Sequence, residues 1–163
     1  VKDKYGIMEI DVNRFITKII NTKEKCDMKH WLYPANVKYY DVVEAFTTED
    51  LIAWPMTSKV EVGDTVYMYL GQPFKQIMFK CQAEEINVPL ERVMDQANKY
   101  IKTEGKSPKK NFMLLKRLEQ YDKNQDGPLA FSMMKLNGLK GSIMGPQCLE
   151  NNETLYNYIH KMD

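Results

Sequence analysis

Both tryptophans of this chain and five of its ten tyrosines fall within about forty residues: Trp31, Tyr33, Tyr39, Tyr40, Trp54, Tyr67 and Tyr69. Aromatics this dense, set among strand and turn signals, build either a core or a stacking pocket for a flat ligand. A buried tryptophan hides ~150–250 Å² and serves the first purpose well. Facing aromatics serve the second by sandwiching a nucleobase, each stack contributing ~1–3 kcal/mol, while nearby hydroxyl and amide groups read the polar edge. Trp31 and Tyr33 are two apart, so on a strand they share a face and Leu32 takes the other. For Trp31 both readings stay open. Trp54 precedes Pro55 and lies just before the polar pair Thr57 and Ser58. A Trp-Pro pair in a polar loop fills a core poorly, so Trp54 is the stacking candidate. Proteins that need a single base pull it out of the helix into such a pocket.

Other constellations carry less chemistry. Asp122-Lys-Asn124-Gln-Asp126-Gly127 matches the first half of a calcium-binding loop. That loop needs a bidentate carboxylate at position 12, where this chain has Met133, and an oxygen at position 9, where it has Ala130. A turn is the expected outcome. Cys26 and His30 are four apart, but His160 is the only other histidine, too few for zinc or for a nucleophile–histidine pair. Glu84 and Glu85 are adjacent and face opposite sides of a strand. The glycines at 138, 141 and 145 lack the spacing and the Lys-Ser/Thr tail of a phosphate loop. No catalytic group, metal site or cofactor is therefore expected, and the expected role is non-enzymatic.

The 163 residues suit one domain with a sizeable core, and 44% hydrophobic with 28% charged is an ordinary globular balance. Three cysteines without a C-x-x-C pair fit a reducing compartment. No apolar run approaches the ~20 residues of a membrane span, and Lys2-Asp3-Lys4-Tyr5 does not begin a secretory leader. A cytoplasmic protein is expected. The net charge of +1 says little by itself, but charge is unevenly placed. Lys99, Lys102, Lys106, Lys109, Lys110, Lys116 and Arg117 stand against Glu104 alone. Such a run is either a solvated loop or a flank that contacts phosphates.

The elements that would position these residues follow from periodicity. Apolar spacing within residues 8–24 predicts an amphipathic N-terminal helix or linker, making 1–28 one unit and 29–163 the main domain. Lys29–Tyr33 reads as a strand ended by Pro34. Tyr40–Phe46 reads as a helix, with Asn36 as its N-cap if it begins at Val37. Thr48–Val60 reads as a loop holding Trp54. Gly63-Asp64 supplies turn chemistry before a strand over Thr65–Leu70, in which Val66, Met68 and Leu70 oppose Tyr67 and Tyr69. Gln72-Pro73 turns the chain into a second strand, Gln76–Asn87. A helix follows over Leu90–Ile101, with Leu90, Val93, Met94 and Ala97 on one face. Phe112–Tyr121 allows a strand or a helix. Pro128–Leu136 reads as a helix stopped by Asn137-Gly138, and Glu153–Met162 as a closing helix with Leu155, Tyr158, Ile159 and Met162 on one side. Hairpins flanked by helices give an α+β class.

Several blocks together resemble the EVE family of the PUA-like superfamily, related to the YTH domains, and in particular the bacterial EVE-like modules found alone or fused to HNH nucleases. They are Trp31-Leu-x-Pro-Ala-Asn-x-Lys-Tyr-Tyr-Asp41, Ile52-x-Trp54, Val62-Gly-Asp-x-Val-Tyr-x-Tyr69, Ile77-Met-Phe-Lys-Cys81, and Gly145-Pro146 with Leu149. The resemblance spans roughly residues 29–150 and favours a strand over Phe112–Tyr121. It implies a PUA-like pseudo-barrel of β-strands flanked by helices, with a pocket for a flipped, modified base. It implies that Trp54 is the cage tryptophan, that Pro34, Ala35 and Asn36 form the floor, that Thr57 and Ser58 supply polar contacts, and that Tyr69 closes one side.

The leading expectation is a reader of modified nucleic acid, DNA before RNA, serving restriction of foreign DNA together with a fused or associated nuclease outside this chain. Trp31, Tyr33, Pro34, Ala35, Asn36, Trp54, Thr57, Ser58 and Tyr69 would meet the base. Lys102, Lys106, Lys109, Lys110, Lys116 and Arg117 would meet phosphates. The alternatives are an RNA-binding PUA-like domain, a nuclease of a neighbouring branch, and a protein-interaction domain whose aromatics are simply core.

Overall fold

The computed structural model describes residues 28–103 and 111–163. The helix expected over 8–24 lies outside them. Alternation builds β3 (Thr65–Leu70) and β4 (Gln76–Val88) as the expected antiparallel hairpin. The turn before it needs Gly63, whose φ of 95° suits a residue without a side chain. β1 (His30–Ala35) lies parallel to β3, with Tyr33 opposite Met68. β5 (Phe112–Gln120) is a strand and pairs with β4. Together with β2 (Leu51–Pro55) and the two-residue β6 (Gln147–Cys148), these form one six-stranded sheet in the order β2-β5-β4-β3-β1-β6.

Two elements differ from the sequence reading. The expected loop Thr48–Val60 contains β2, so Trp54 is a strand residue paired across Met113. Ile52 and Trp54 alternate with Ala53, and β2 is an edge strand, where a terminal Pro55 is tolerated because no neighbour needs its missing N–H. The first helix, α1, runs Val42–Thr48 and does not start near Val37. Residues 36–41 are instead tied to the end of the next helix: the Asp41 N–H donates to the Tyr100 carbonyl at 2.8 Å, and Tyr40 bridges Ile101. Asn36 therefore caps a turn, its Oδ1 accepting the Lys38 N–H at 2.9 Å. Nor does Pro34 end β1. On that side β6 reaches only Trp31 and Leu32, so no partner misses the proline's donor.

The helices cover both sheet faces. α1 places Val42, Ala45 and Phe46 on a core built from Trp31, Tyr33, Ala35, Val66, Met68, Phe79, Met113 and Leu115. The opposite face, with Leu32, Tyr67, Tyr69 and Ile77, is covered by α3 (Phe131–Leu136) and α4 (Glu153–Met162), through Met134, Leu155 and Ile159. A third cluster joins Ala53, Val88 and Phe112 to Val93 of α2 (Leu90–Tyr100). Met94 and Met162, expected on apolar faces, are exposed at 43% and 40%. The sheet curls: Ile52 of edge strand β2 packs in the same core as Trp31 of β1, four places along the order. This is an α+β pseudo-barrel. Among the described residues no helix is long and apolar enough to cross a membrane.

Two buried polar clusters lock the curl. Asp64, 2% exposed, accepts the Lys29 N–H (3.0 Å), the Trp31 indole N–H (3.0 Å) and the Glu61 N–H (2.9 Å). On the other face the Asp163 carboxylate at the end of α4 accepts from Lys80, from Tyr121 and from Tyr67 at 2.9 Å. Burial opposes the charge of Asp163. The donors Lys80, Tyr121 and Tyr67 outweigh it and hold that carboxyl below its ordinary value. The residues 122–127 form a turn over buried Gln76, whose Oε1 accepts the Asn124 N–H at 2.7 Å and whose Nε2 donates to the Asp122 carbonyl at 2.9 Å.

Two outcomes are expected. Asp64→Ala should lower stability by about 3 kcal/mol, because three donors lose one acceptor together and an unsatisfied buried donor costs ~1–3 kcal/mol. An unchanged urea midpoint would mean that water replaces the carboxylate. Asp163, with its folded pKa lowered, adds stability that is complete above the ordinary value of 3.8 and is lost as pH falls through the lower folded value. Asp163→Asn should therefore melt earlier at neutral pH, and its deficit should shrink on acidification below pH 3.8. Parallel melting curves for the two proteins at every pH would contradict this.

Candidate functional site

Trp54 shares a side of β2 with Ile52 and is half-buried at the border of the α1-covered core. Tyr40 meets its indole edge-to-face, with centroids 5.6 Å apart at 83°. Phe46 meets it at 5.8 Å and 58°, and Phe46 in turn stacks on Phe79 at 5.0 Å and 20°. An aromatic run thus leads from a partly open tryptophan into the centre of the sheet. Burial, with Tyr100 and Glu49 adding, pushes the Tyr40 phenol up to about 12, so it remains neutral near physiological pH. Tyr33 is fully buried in the same core, and its hydroxyl bonds the Ser58 hydroxyl. The segment carrying Ser58 is fixed by the Met56 N–H donating to the Asn111 carbonyl at 2.8 Å and by buried Val60.

Of the expected base contacts, Tyr33, Ala35, Trp54 and Ser58 gather around this one core, with Asn36 and Thr57 exposed beside it. Trp31 belongs to the core proper, at 8% exposure, and its indole N–H is committed to Asp64. Pro34 and Tyr69 do not join the group. Parallel pairing sets Tyr33 opposite Met68 and Pro34 opposite Tyr69, and directly opposed residues point the same way. Tyr69 therefore faces α3, where it meets Phe131 at 6.3 Å, and burial raises its phenol pKa. The expected convergence of Trp31, Asn36, Trp54 and Tyr69 on one surface fails at Tyr69.

The expected phosphate contacts also divide. Lys106, Lys109 and Lys110 lie outside the described residues. Lys116 is exposed on β5. Lys102 donates from Nζ to the Val37 carbonyl at 3.1 Å and from its backbone to the Tyr39 carbonyl at 3.0 Å, so it braces the turn below Tyr40. Arg117 is half-buried, and its guanidinium donates to the Phe46 carbonyl near the C-terminal end of α1. Helix C-terminal carbonyls attract cations, and this one has taken Arg117 out of the solvated run.

Tyr40 and Phe46 were missed as site residues, although Tyr40 stands in the Lys38-Tyr-Tyr-Asp41 block and Phe46 at helical spacing from Val42. Cys81 is buried, and burial pushes its thiol up to about 12, which leaves it unreactive. His30 pairs with Glu150 at 3.1 Å on the surface. Among the described residues no three His, Cys, Asp or Glu side chains gather to hold a metal ion.

No family model and no curated protein matches the sequence. Solved structures do match. A variant of the ASCH protein from Zymomonas mobilis superposes with a TM-score of 0.54 at 6% identity, over 82% of this chain and 98% of that one. A hypothetical protein from Leishmania major gives 0.54 at 14% identity, over 83% and 94%. A protein from Agrobacterium tumefaciens gives 0.52 at 9%, over 82% and 92%. At these identities the likeness is one of fold. The fold is of the ASCH type.

Arg117→Gln should cost ~1.5–3 kcal/mol, the worth of a hydrogen bond to a charged group. At this chain length that is about 2–4 °C of melting temperature per kcal/mol. Lys116→Gln should stay within ~0.5 kcal/mol of the parent. Equal melts for the two variants would return Arg117 to the solvent-facing charges.

Proposed function

We propose that this chain is a nucleic-acid-binding module of the EVE kind, residues 29–163 being the binding domain, which takes a flipped, modified base of DNA at the Trp54 edge of the α1-covered core. The observation that carries this reading is the contrast between the two tryptophans. Trp31 is sealed and its N–H is used. Trp54 stays partly open, held edge-on by Tyr40 and backed by Phe46. A ring fixed on one side and open on another is a platform for a flat ligand. Tyr33 and Ser58 place a hydroxyl pair in the same cluster, and the exposed Asn36 and Thr57 add polar groups at its border. These can read a base edge while the aromatic groups grip its face.

A methyl or hydroxymethyl group on the base would gain roughly 0.8 kcal/mol per carbon buried against the rings. Binding without chemistry on the base would let a nuclease outside this chain act on marked DNA in the cytoplasm. Lys116 and the lysines at 106, 109 and 110 would add affinity for phosphates without discrimination.

A panel of short DNA and RNA oligonucleotides carrying plain, methylated or hydroxymethylated bases tests this. The modified DNA should bind most tightly and quench tryptophan emission. In Trp54→Phe only Trp31 remains to report, and the quenching should vanish. Trp54→Leu keeps apolar bulk against Phe46 but lacks the flat face, and should lose ~1–3 kcal/mol of binding. Full quenching in Trp54→Phe, or unchanged affinity in Trp54→Leu, would refute the role given to Trp54.

A further inference from the structure

We infer that the nucleic acid entering this site is single-stranded, with the nucleotides on either side of the extruded base resting on two lysine-topped rings, Tyr39 under Lys38 and Phe74 under Lys123. The inference deepens the reading of the Trp54 site and depends on it.

The Lys38 ammonium lies 5.7 Å from the Tyr39 ring centroid, and the Lys123 ammonium 5.3 Å from that of Phe74. The two rings belong to different turns that one hydrogen bond joins. The Gly71 N–H donates to the Ala35 carbonyl at 3.1 Å, where β1 passes into the Asn36–Asp41 turn and β3 into the Gly71–Lys75 turn. Phe74 is half-buried against the same core as Trp54, Tyr40 and Val37. Tyr39 is 53% exposed, beside Tyr40 in the chain. The platform for the extruded base thus shares its core with one ring–lysine pair and its turn with the other.

A lone lysine over a surface ring is common and worth little. Two such pairs on turns joined by one hydrogen bond have a use. A ring offers a stacking surface to any base, and a flexible lysine lying over it can swing aside to the phosphate of the nucleotide that takes its place. In a duplex, the neighbours of a flipped base remain paired, their outer faces stay stacked within the helix, and only the single gap left by the base opens to a protein ring. In a single strand those faces are free. The exposed Tyr39 ring and the uncovered part of Phe74 are therefore matched to a single strand.

The test is fluorescence anisotropy on a short oligo-dT strand with one central methylated cytosine, alone and annealed to its complement. The single strand should bind at least about fivefold more tightly than the duplex, the smallest effect of one stacked base. Tyr39→Ala and Phe74→Leu should each weaken the single strand by at least about fivefold and leave duplex binding unchanged. Lys38→Gln and Lys123→Gln should each flatten the salt dependence by about 0.7 in the log–log slope, the single-strand value per phosphate. Melting curves check that the variants fold; Tyr39, being exposed, carries the test alone if Phe74→Leu does not. Tighter binding of the duplex, or single-strand binding indifferent to Tyr39→Ala, overturns the inference, and a Trp54-dependent duplex signal would then leave the proposed function standing. Binding of neither form overturns both.

Discussion

Burying a carboxylate is costly unless donors surround it, and Asp64 sits where three parts of the chain can supply them. Lys29 gives a backbone donor from the start of β1, Trp31 an indole from within it, and Glu61 a backbone donor from the turn before β3. The backbone of Asp64 is engaged as well: its carbonyl accepts the Ala83 N–H of β4 at 2.9 Å. One residue therefore fixes the start of the parallel β1–β3 pair and the phase of the β3–β4 hairpin. A parallel pair needs a long crossover, and here the crossover holds α1, β2 and the Ser58 segment. With both of its ends pinned at Asp64 and Ala35, the crossover must fold over the face that Trp31 and Tyr33 present. That is how Ser58 comes to meet Tyr33, and Trp54 to meet Tyr40 and Phe46.

The same constraint separates residues of one type into different roles. Trp31 gives its polar edge to Asp64 and its ring to the core. Trp54 reaches the core from the far edge of the sheet and is only partly covered. Arg117 and Lys116 are neighbours on β5 and point to opposite sides; the inward one meets the end of α1 and the outward one meets solvent. Residue type sets what a side chain can do, and strand phase with register sets what it does.

Much of this was legible in the sequence. The alternation over Thr65–Leu70 and the helical spacing of Leu155, Tyr158 and Ile159 reflect faces with one clear inside, and those elements stand where they were read. The opposition of Val66 and Met68 to Tyr67 and Tyr69 was also correct. What could not be read was which neighbour lies beside each face. Nothing local says that β1 runs parallel to β3 with Tyr33 opposite Met68, and without that register Tyr69 could be assigned to either side. β2 was hidden because it is five residues long, ends in proline and lies at an edge. Asn36 has the chemistry of a helix cap and of a turn; the hydrogen bond from Asp41 to Tyr100 decides for the turn, and it joins residues far apart in sequence. Within the basic run, the role of Arg117 went unread for a similar reason. A charge count cannot foresee that Phe46 will offer a carbonyl to Arg117.

The edge carrying Trp54 also bears on how this protein can meet a partner. An open edge strand invites another strand through its unpaired backbone groups. Along β2 that invitation is withdrawn. Gln96 of α2 reaches over, its Oε1 accepting the Ala53 N–H at 2.7 Å and its Nε2 donating to the Leu51 carbonyl at 2.9 Å. The edge is thus closed to strand addition by an amide that mimics a neighbouring backbone, while the Trp54 side chain stays partly open on the sheet face. A partner that binds here must use the ring and not the main chain. That requirement weighs against a peptide adding in β fashion at Leu51–Ala53, and it suits a flat ligand that needs no backbone hydrogen bonds.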